Sequence, residues 1–150
     1  MIELAVALIL RTASGRLSDV TAALGIRPSR GVSRGDVPHG ARRKHFQGPH
    51  EQTSWILDSG ERADASVNEH LRSLATMLLP TQLRQLRSEL PADLQIELDI
   101  AVFYDGQAGH VEIDAASLEI VHEYGATLIF TAYYGEDEGE KGVRLRHVAT

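Results

Sequence analysis

The chain has 150 residues, 43% of them apolar, no Cys and a formal net charge of −6. This describes one globular domain, residues 1–150, and excludes disulfides, thiolate catalysis and Cys-based zinc sites. No apolar run reaches the ~18 residues of a membrane-spanning helix. A pI near 5.6 and 5% aromatics argue against a nucleic-acid binder, which presents a basic footprint and stacking rings.

The opening "IELAVALIL" alternates Ile2, Leu4, Val6, Leu8 and Leu10 on one face. Its other face is nearly apolar too, which predicts a central strand covered on both sides. It has no basic leader segment and carries Glu3, so a strand is expected here and not a secretory signal. "SGRLSDVTAALG" then places Leu17, Val20 and Leu24 at helical spacing, with Ser14 or Ser18 as N-cap and Gly25 as terminator. After Pro28 no helix continues.

From Arg27 to His50 runs "RPSRGVSRGDVPHGARRKHFQGPH", with six Lys or Arg against one acid, Asp36. The segment carries +5 in a chain of −6, which leaves −11 elsewhere. Charge segregation on this scale can steer an anionic partner. Arg30 and Arg34 stand beside Gly31 and Gly35, where a ligand could approach the backbone. Their planar guanidinium forks suit phosphate or carboxylate. Arg42, Arg43 and Lys44 form a second cluster, for which a solvated loop is the competing reading. His39, His45, His50 and Asp36 match no compact metal-ligand spacing, and no metal or cofactor is expected.

A short strand is expected around 30–36, and "QTSWILDSG" is a strand ending in a turn. Its Trp55 either lines a pocket at the mouth of the connector or sits in the core, with its indole N–H bonded. "DASVNEHLRSLATMLLP" is the clearest helix, with a Ser66–Glu69 capping box and a stripe of Val67, Leu71, Leu74 and Leu78. Pro80 ends or kinks it, and Leu83, Leu86 and Leu90 continue the apolar pattern. "LQIELDIAVFY" alternates strictly, with Gln95, Glu97 and Asp99 toward a wet face. "DGQAG" predicts a hairpin turn and "HVEI" a returning strand. His110, Glu112 and Asp114 share a face there, a weak metal geometry. "DAASLEIVHEYG" is a helix capped by Asp114 and closed by Gly125, with Leu118, Val121 and His122 inward. "ATLIFTAYY" is a strand with apolar residues on both faces, which predicts a homodimer covering one of them. Tyr104, Tyr133 and Tyr134 are pocket or interface residues, or simply half-buried on a sheet. Residues 135–150 form an acidic turn and a tail in which "VRLRHV" can add an edge strand.

Helices and strands alternate too irregularly for a parallel α/β sheet. The expected fold is α+β: an antiparallel sheet with helices on one face, a ferredoxin-like sandwich. "IELAVA" at 2–7 is echoed by "IELDIA" at 96–101. The echo suggests a duplicated strand–helix–strand unit, with chance likeness of apolar strands as the competing reading.

"LGIRPSR" after the first helix, "RGD" at 34–36, "WILDS" at 55–59 and the closing helix–Gly–strand resemble the bacterial domain-of-unknown-function 4279 family over most of residues 2–134. The matching positions are Leu24, Gly25, Ile26 and Pro28, then Arg34 and Gly35, then Trp55, Leu57 and Ser59. The insert "HGARRKHFQGPHEQ" is longer than the family pattern. The resemblance implies a fold and a bacterial origin but no activity.

The chain has no Cys, no G-x-S-x-G elbow and no Gly-rich phosphate loop. Glu97 and Asp99 share a strand face as a carboxylate pair, which an exposed sheet face explains equally well. The expectation is therefore a non-catalytic cytoplasmic binding or interaction module, not an enzyme. It would recognise an acidic protein surface or a small anion through residues 27–51, with Arg30, Arg34, Trp55, Arg42, Arg43 and Lys44 as ligand-binding residues. The alternative is a ligand-sensing domain that binds a small anion at a homodimer seam.

Overall fold

A computed structural model describes residues 2–36, 50–105, 109–134 and 143–147. Six strands form one sheet: β1 (Ile2–Thr12), β2 (Arg30–Val32), β3 (Thr53–Asp58), β4 (Gln95–Tyr104), β5 (Thr127–Tyr134) and β6 (Val143–His147). Four helices accompany them: α1 (Leu17–Leu24), α2 (Val67–Met77), α3 (Pro80–Leu86) and α4 (Ala115–Tyr124). The strand order is β2-β3-β1-β4-β5-β6. The α+β class holds.

β1 to β4 are joined as β-α-β-β-α-β, with α3 added after α2, and neighbours among them are antiparallel. The expected all-antiparallel sheet is corrected at β5, which pairs parallel with β4, so the sheet is mixed. α4 is the crossover that a parallel pair requires. The hairpin expected at "DGQAG" and "HVEI" is corrected for the same reason. β4 already has β1 on one side and β5 on the other, and residues 109–114 form no strand. The strand–helix echo does not carry into the topology. β1 and α1 lead to β2, which does not neighbour β1, whereas β4 and α4 lead to β5 directly beside β4. β6, the edge strand that "VRLRHV" could add, pairs with β5 antiparallel.

The strict alternation of β1 and β4 explains the core. Leu4, Val6, Leu8 and Leu10 join Ile96, Leu98, Ile100 and Val102 in one cluster, with Trp55, Leu57 and Leu128 from the flanking strands. Val20, Leu24, Leu71, Leu74, Leu83 and Val121 close over it, so all four helices lie on this face. The other face bears no helix among the described residues. Even there Ala7, Ile9 and Ile129 are buried, and Glu97 is only 6% exposed, with Arg11 Nη1 3.3 Å from its Oε2. The wet face expected along β4 therefore holds for Gln95 but not for Glu97.

The helix termini follow local chemistry. In α2 the Ser66 hydroxyl accepts from Glu69 N, and Glu69 accepts from Ser66 N, the expected capping box. Its stripe of Val67, Leu71, Leu74 and Leu78 is at most 1% exposed. Pro80 starts α3 at its first turn, where its missing N–H costs nothing. In α4 Asp114 caps Ser117 N at 2.7 Å, and Gly25 and Gly125 close their helices in the left-handed region. Two expectations are corrected. Neither Ser14 nor Ser18 caps α1; Arg16 is the N-cap residue, and its N–H donates to the Asp19 carboxylate. The buried stripe of α4 is Ser117, Val121 and Tyr124, while Leu118 is 49% exposed and His122 is exposed.

Candidate functional site

The connector begins as strand. Arg30, Gly31 and Val32 pair with Ile56, Trp55 and Ser54 at the sheet edge. It is then clasped: Gly35 N donates to His50 O at 2.8 Å, and His50 N donates to Asp36 O at 2.9 Å. Gly35 turns with φ +87°, which favours glycine. Residues 36 and 50 thus lie side by side, and the chain between them leaves and returns at one place. Arg42, Arg43 and Lys44 fall in that stretch, outside the described residues.

Arg30 and Arg34 are engaged separately. Arg30 Nη2 lies 3.1 Å from Asp58 Oδ1, with both side chains well exposed. Arg34 Nη1 donates to Ala13 O at 2.8 Å, and its backbone N–H donates to Thr53 Oγ1. Asp58 pairs with Ala7 of β1, and Ala13 follows six residues on. At ~3.3 Å per strand residue, the two anchor points are about 20 Å apart. The expectation that the two guanidinium groups converge on one anion is corrected by this separation.

Gly31 likewise serves packing and not ligand approach. A Cβ there would lie 2.6 Å from Leu17 Cδ1 and 2.8 Å from Ser54 O, and the latter is backbone of the paired strand. Gly31→Ala is expected to cost about 1–3 kcal/mol, read by denaturant melts. An unchanged midpoint would contradict the close approach of α1 to β2.

Trp55 is 0% exposed, and its Nε1 donates to Thr21 Oγ1 of α1 at 3.2 Å. A surface ligand does not reach it, so its placement in the recognition surface is corrected to the core. Of the tyrosines, Tyr133 is 41% exposed and stacks on Phe103, 42% exposed, with ring centroids 5.0 Å apart. Both stand on the helix-free face.

Sequence reasoning missed a buried polar pair. β3 ends at Asp58, and the chain turns through Gly60 at φ +73°. Ser59, 4% exposed, lies 2.6 Å through Oγ from Nδ1 of His70, 1% exposed, on α2. Ser73 Oγ donates to Ser59 O, and Ser59 N donates to Val6 O. The pair therefore ties the β3 turn to α2 and β1. His70 Nε2 has no hydrogen bond of good geometry, although the Arg62 carbonyl near the ring favours a proton there. The available signal was spacing: position 70 lies between Val67 and Leu74 on the stripe side of α2.

Burial pushes the His70 pKa below its ordinary 6.5, against the opposing pull of the Glu61 carboxylate and the Arg62 carbonyl. At the other end of the sheet, the Ser14 and Thr12 hydroxyls and Ala13 N–H bond the Asp93 carboxylate. They hold its pKa at about 2, against an ordinary 3.8. Both folded values are depressed, but the two groups stabilise the fold in different windows. Neutral His70 contributes stability that is full above pH 6.5 and is lost as pH falls through its lower folded value. Ionised Asp93 contributes stability that is full above about pH 4 and is lost toward pH 2. Melting midpoints should therefore fall in two stages on acidification. His70→Gln should remove the first stage and Asp93→Asn the second, and a single unaltered stage in both variants would contradict this.

A cavity of about 370 Å³ opens beside the Ser59–His70 pair, lined by the turn after β3 and by residues 4–7 of β1. Among the described residues no group of three His, Asp or Glu is placed to hold a metal ion. His110 and Glu112 form an exposed pair at 3.2 Å, and Asp114 is taken by its cap and by Arg72. No helix among the described residues is long and apolar enough to cross a membrane.

A family model described as "Domain of unknown function (DUF4279)" matches residues 2–135. No curated protein matches the chain, and no solved structure does.

Proposed function

Because the chain belongs to the domain-of-unknown-function family DUF4279, whose description carries no activity, we propose from charge and geometry that it is a non-catalytic binding module. It recognises an anionic partner, an acidic protein surface or a small anion, through the basic connector. The observation that carries this reading is the clasp of Gly35, Asp36 and His50. It fixes the base of a stretch, 37–49, that holds Arg42, Arg43, Lys44, His39 and His45 and no acid. In this reading it is these cations that meet the partner. Arg30 is paired with Asp58 at the edge and adds no net charge to this surface. We propose a bacterial cytoplasmic location as well, which the absence of Cys and the family resemblance support.

The test is fluorescence anisotropy of a labelled poly-L-glutamate peptide against the wild-type chain and an R42A/R43A/K44A variant. Wild type is expected to bind and the variant to lose most of the affinity. Equal binding would overturn the reading.

A second reading, a sensor that binds a small anion at a homodimer seam, is favoured by the exposed Phe103–Tyr133 stack on the helix-free face. Exposed stacked aromatics are common at interfaces. Light scattering at micromolar concentration that gives only the ~16 kDa species would remove it; this size is the chain mass of 16.4 kDa and implies no dimer.

A further inference from the structure

The cavity beside the Ser59–His70 pair is not used by the connector reading, and it lies at the opposite end of β1 from the connector clasp. Its size, about 370 Å³, falls within the roughly 300–1,000 Å³ of small-molecule pockets. Its floor is small and apolar: Ala5 and Ala101 pair across β1 and β4, and Ala7 lies between Asp58 on β3 and Asp99 on β4. Its wall is polar: the buried Ser59–His70 pair, the exposed Glu61, and Arg30 bonded to Asp58.

We propose that this cavity binds a small organic cation, an alkylammonium, with the charged end at Glu61 and the alkyl part along Ala5, Ala7 and Ala101. Arg30 and Asp58 cancel one another at 3.1 Å. Glu61 is then the lining carboxylate that sets the sign, and His70 is neutral at pH 7. Asp99 has an interaction within the fold, so Glu61 is the carboxylate that meets the ligand. An ammonium has three N–H donors and no acceptor, so it suits a wall of carboxylates and carbonyls. An anion would meet a net repulsive field. The buried Ser59–His70 pair is a second observation, independent of the acids. A hydroxyl and an imidazole sequestered at a cavity wall, with the ring pKa displaced, mark ligand sites more often than bare surface.

The test uses the full chain and two probes of one size, n-butylammonium chloride and sodium butyrate, followed by ¹H–¹⁵N spectra and the His70 ring resonances. Butylammonium is expected to shift the amides of Ala5, Ala7, Gly60 and Ala101 together with the His70 ring, and butyrate to leave them in place. Glu61→Gln, at an exposed position, should keep the spectrum folded and weaken butylammonium binding about three- to fivefold, the scale of one exposed charge contact. Three results would overturn the proposal: no shift at these residues, equal shifts with butyrate, or undiminished binding in Glu61→Gln. None of them bears on the connector, whose binding is read with a polyanion.

Discussion

Trp55→Ala is expected to lower stability by about 3–5 kcal/mol, a large part of the roughly 5–15 kcal/mol that a domain has in total. The indole is fully buried between β1 and β2 in the register Leu10–Trp55–Gly31, and α1 covers it through Thr21. Removing it opens a cavity that Gly31 cannot fill and strands the Thr21 hydroxyl. Trp55→Phe should cost less, because the ring volume is largely kept, although it too leaves the Thr21 hydroxyl without the indole donor. Denaturant melts of the two variants separate the roles. A Trp55→Ala protein of wild-type stability with impaired binding would return Trp55 to the recognition surface.

Leu71→Ala and Leu74→Ala should each cost about 2–5 kcal/mol. Both are 0% exposed and pack α2 onto the sheet among Leu8, Leu98 and Ile100. Ser66→Ala removes only a cap on the same helix, and about 1 kcal/mol is expected. The contrast within one helix is the informative part. If chemical denaturation showed Leu71→Ala and Ser66→Ala to be equally mild, α2 would not be seated as described.

What the sequence conveyed depended on how local the signal was. Period-two alternation in 2–12 and 95–104 and the Ser66–Glu69 box are short-range patterns, and they translated directly into β1, β4 and α2. The direction of β5 was not local. "ATLIFTAYY" reads the same whether it pairs parallel or antiparallel, and only the commitment of both β4 edges rules out the hairpin at 105–113. Glu97 was misplaced for a similar reason: alternation gives its face, but its surroundings come from neighbouring strands, where it pairs with Ile9 and Thr127 and meets Arg11. At the candidate site, composition disclosed the charge of the connector but not its clasp, which joins backbone groups fourteen and fifteen residues apart. Arg30 and Arg34 looked convergent because they are near in sequence, yet their guanidinium groups are held at opposite ends of β3, by Asp58 and by Ala13 O. The Ser59–His70 pair left the weakest trace, since a polar side chain on a leucine stripe reads as an interruption until its partner is seen.

The central claim is that the cations of residues 37–49 serve recognition and not folding, and one paired measurement on the same samples tests it. Poly-L-glutamate affinity is titrated across salt concentration, and melting midpoints are recorded, for wild type, R42A/R43A/K44A and R34A. The account predicts that the triple variant loses binding and its salt dependence, while its midpoint stays within about a degree or two. It predicts the reverse for R34A, whose guanidinium holds Ala13 O: binding is retained and the midpoint falls. A triple variant that binds as wild type does at every salt concentration, or that melts early, would contradict the account.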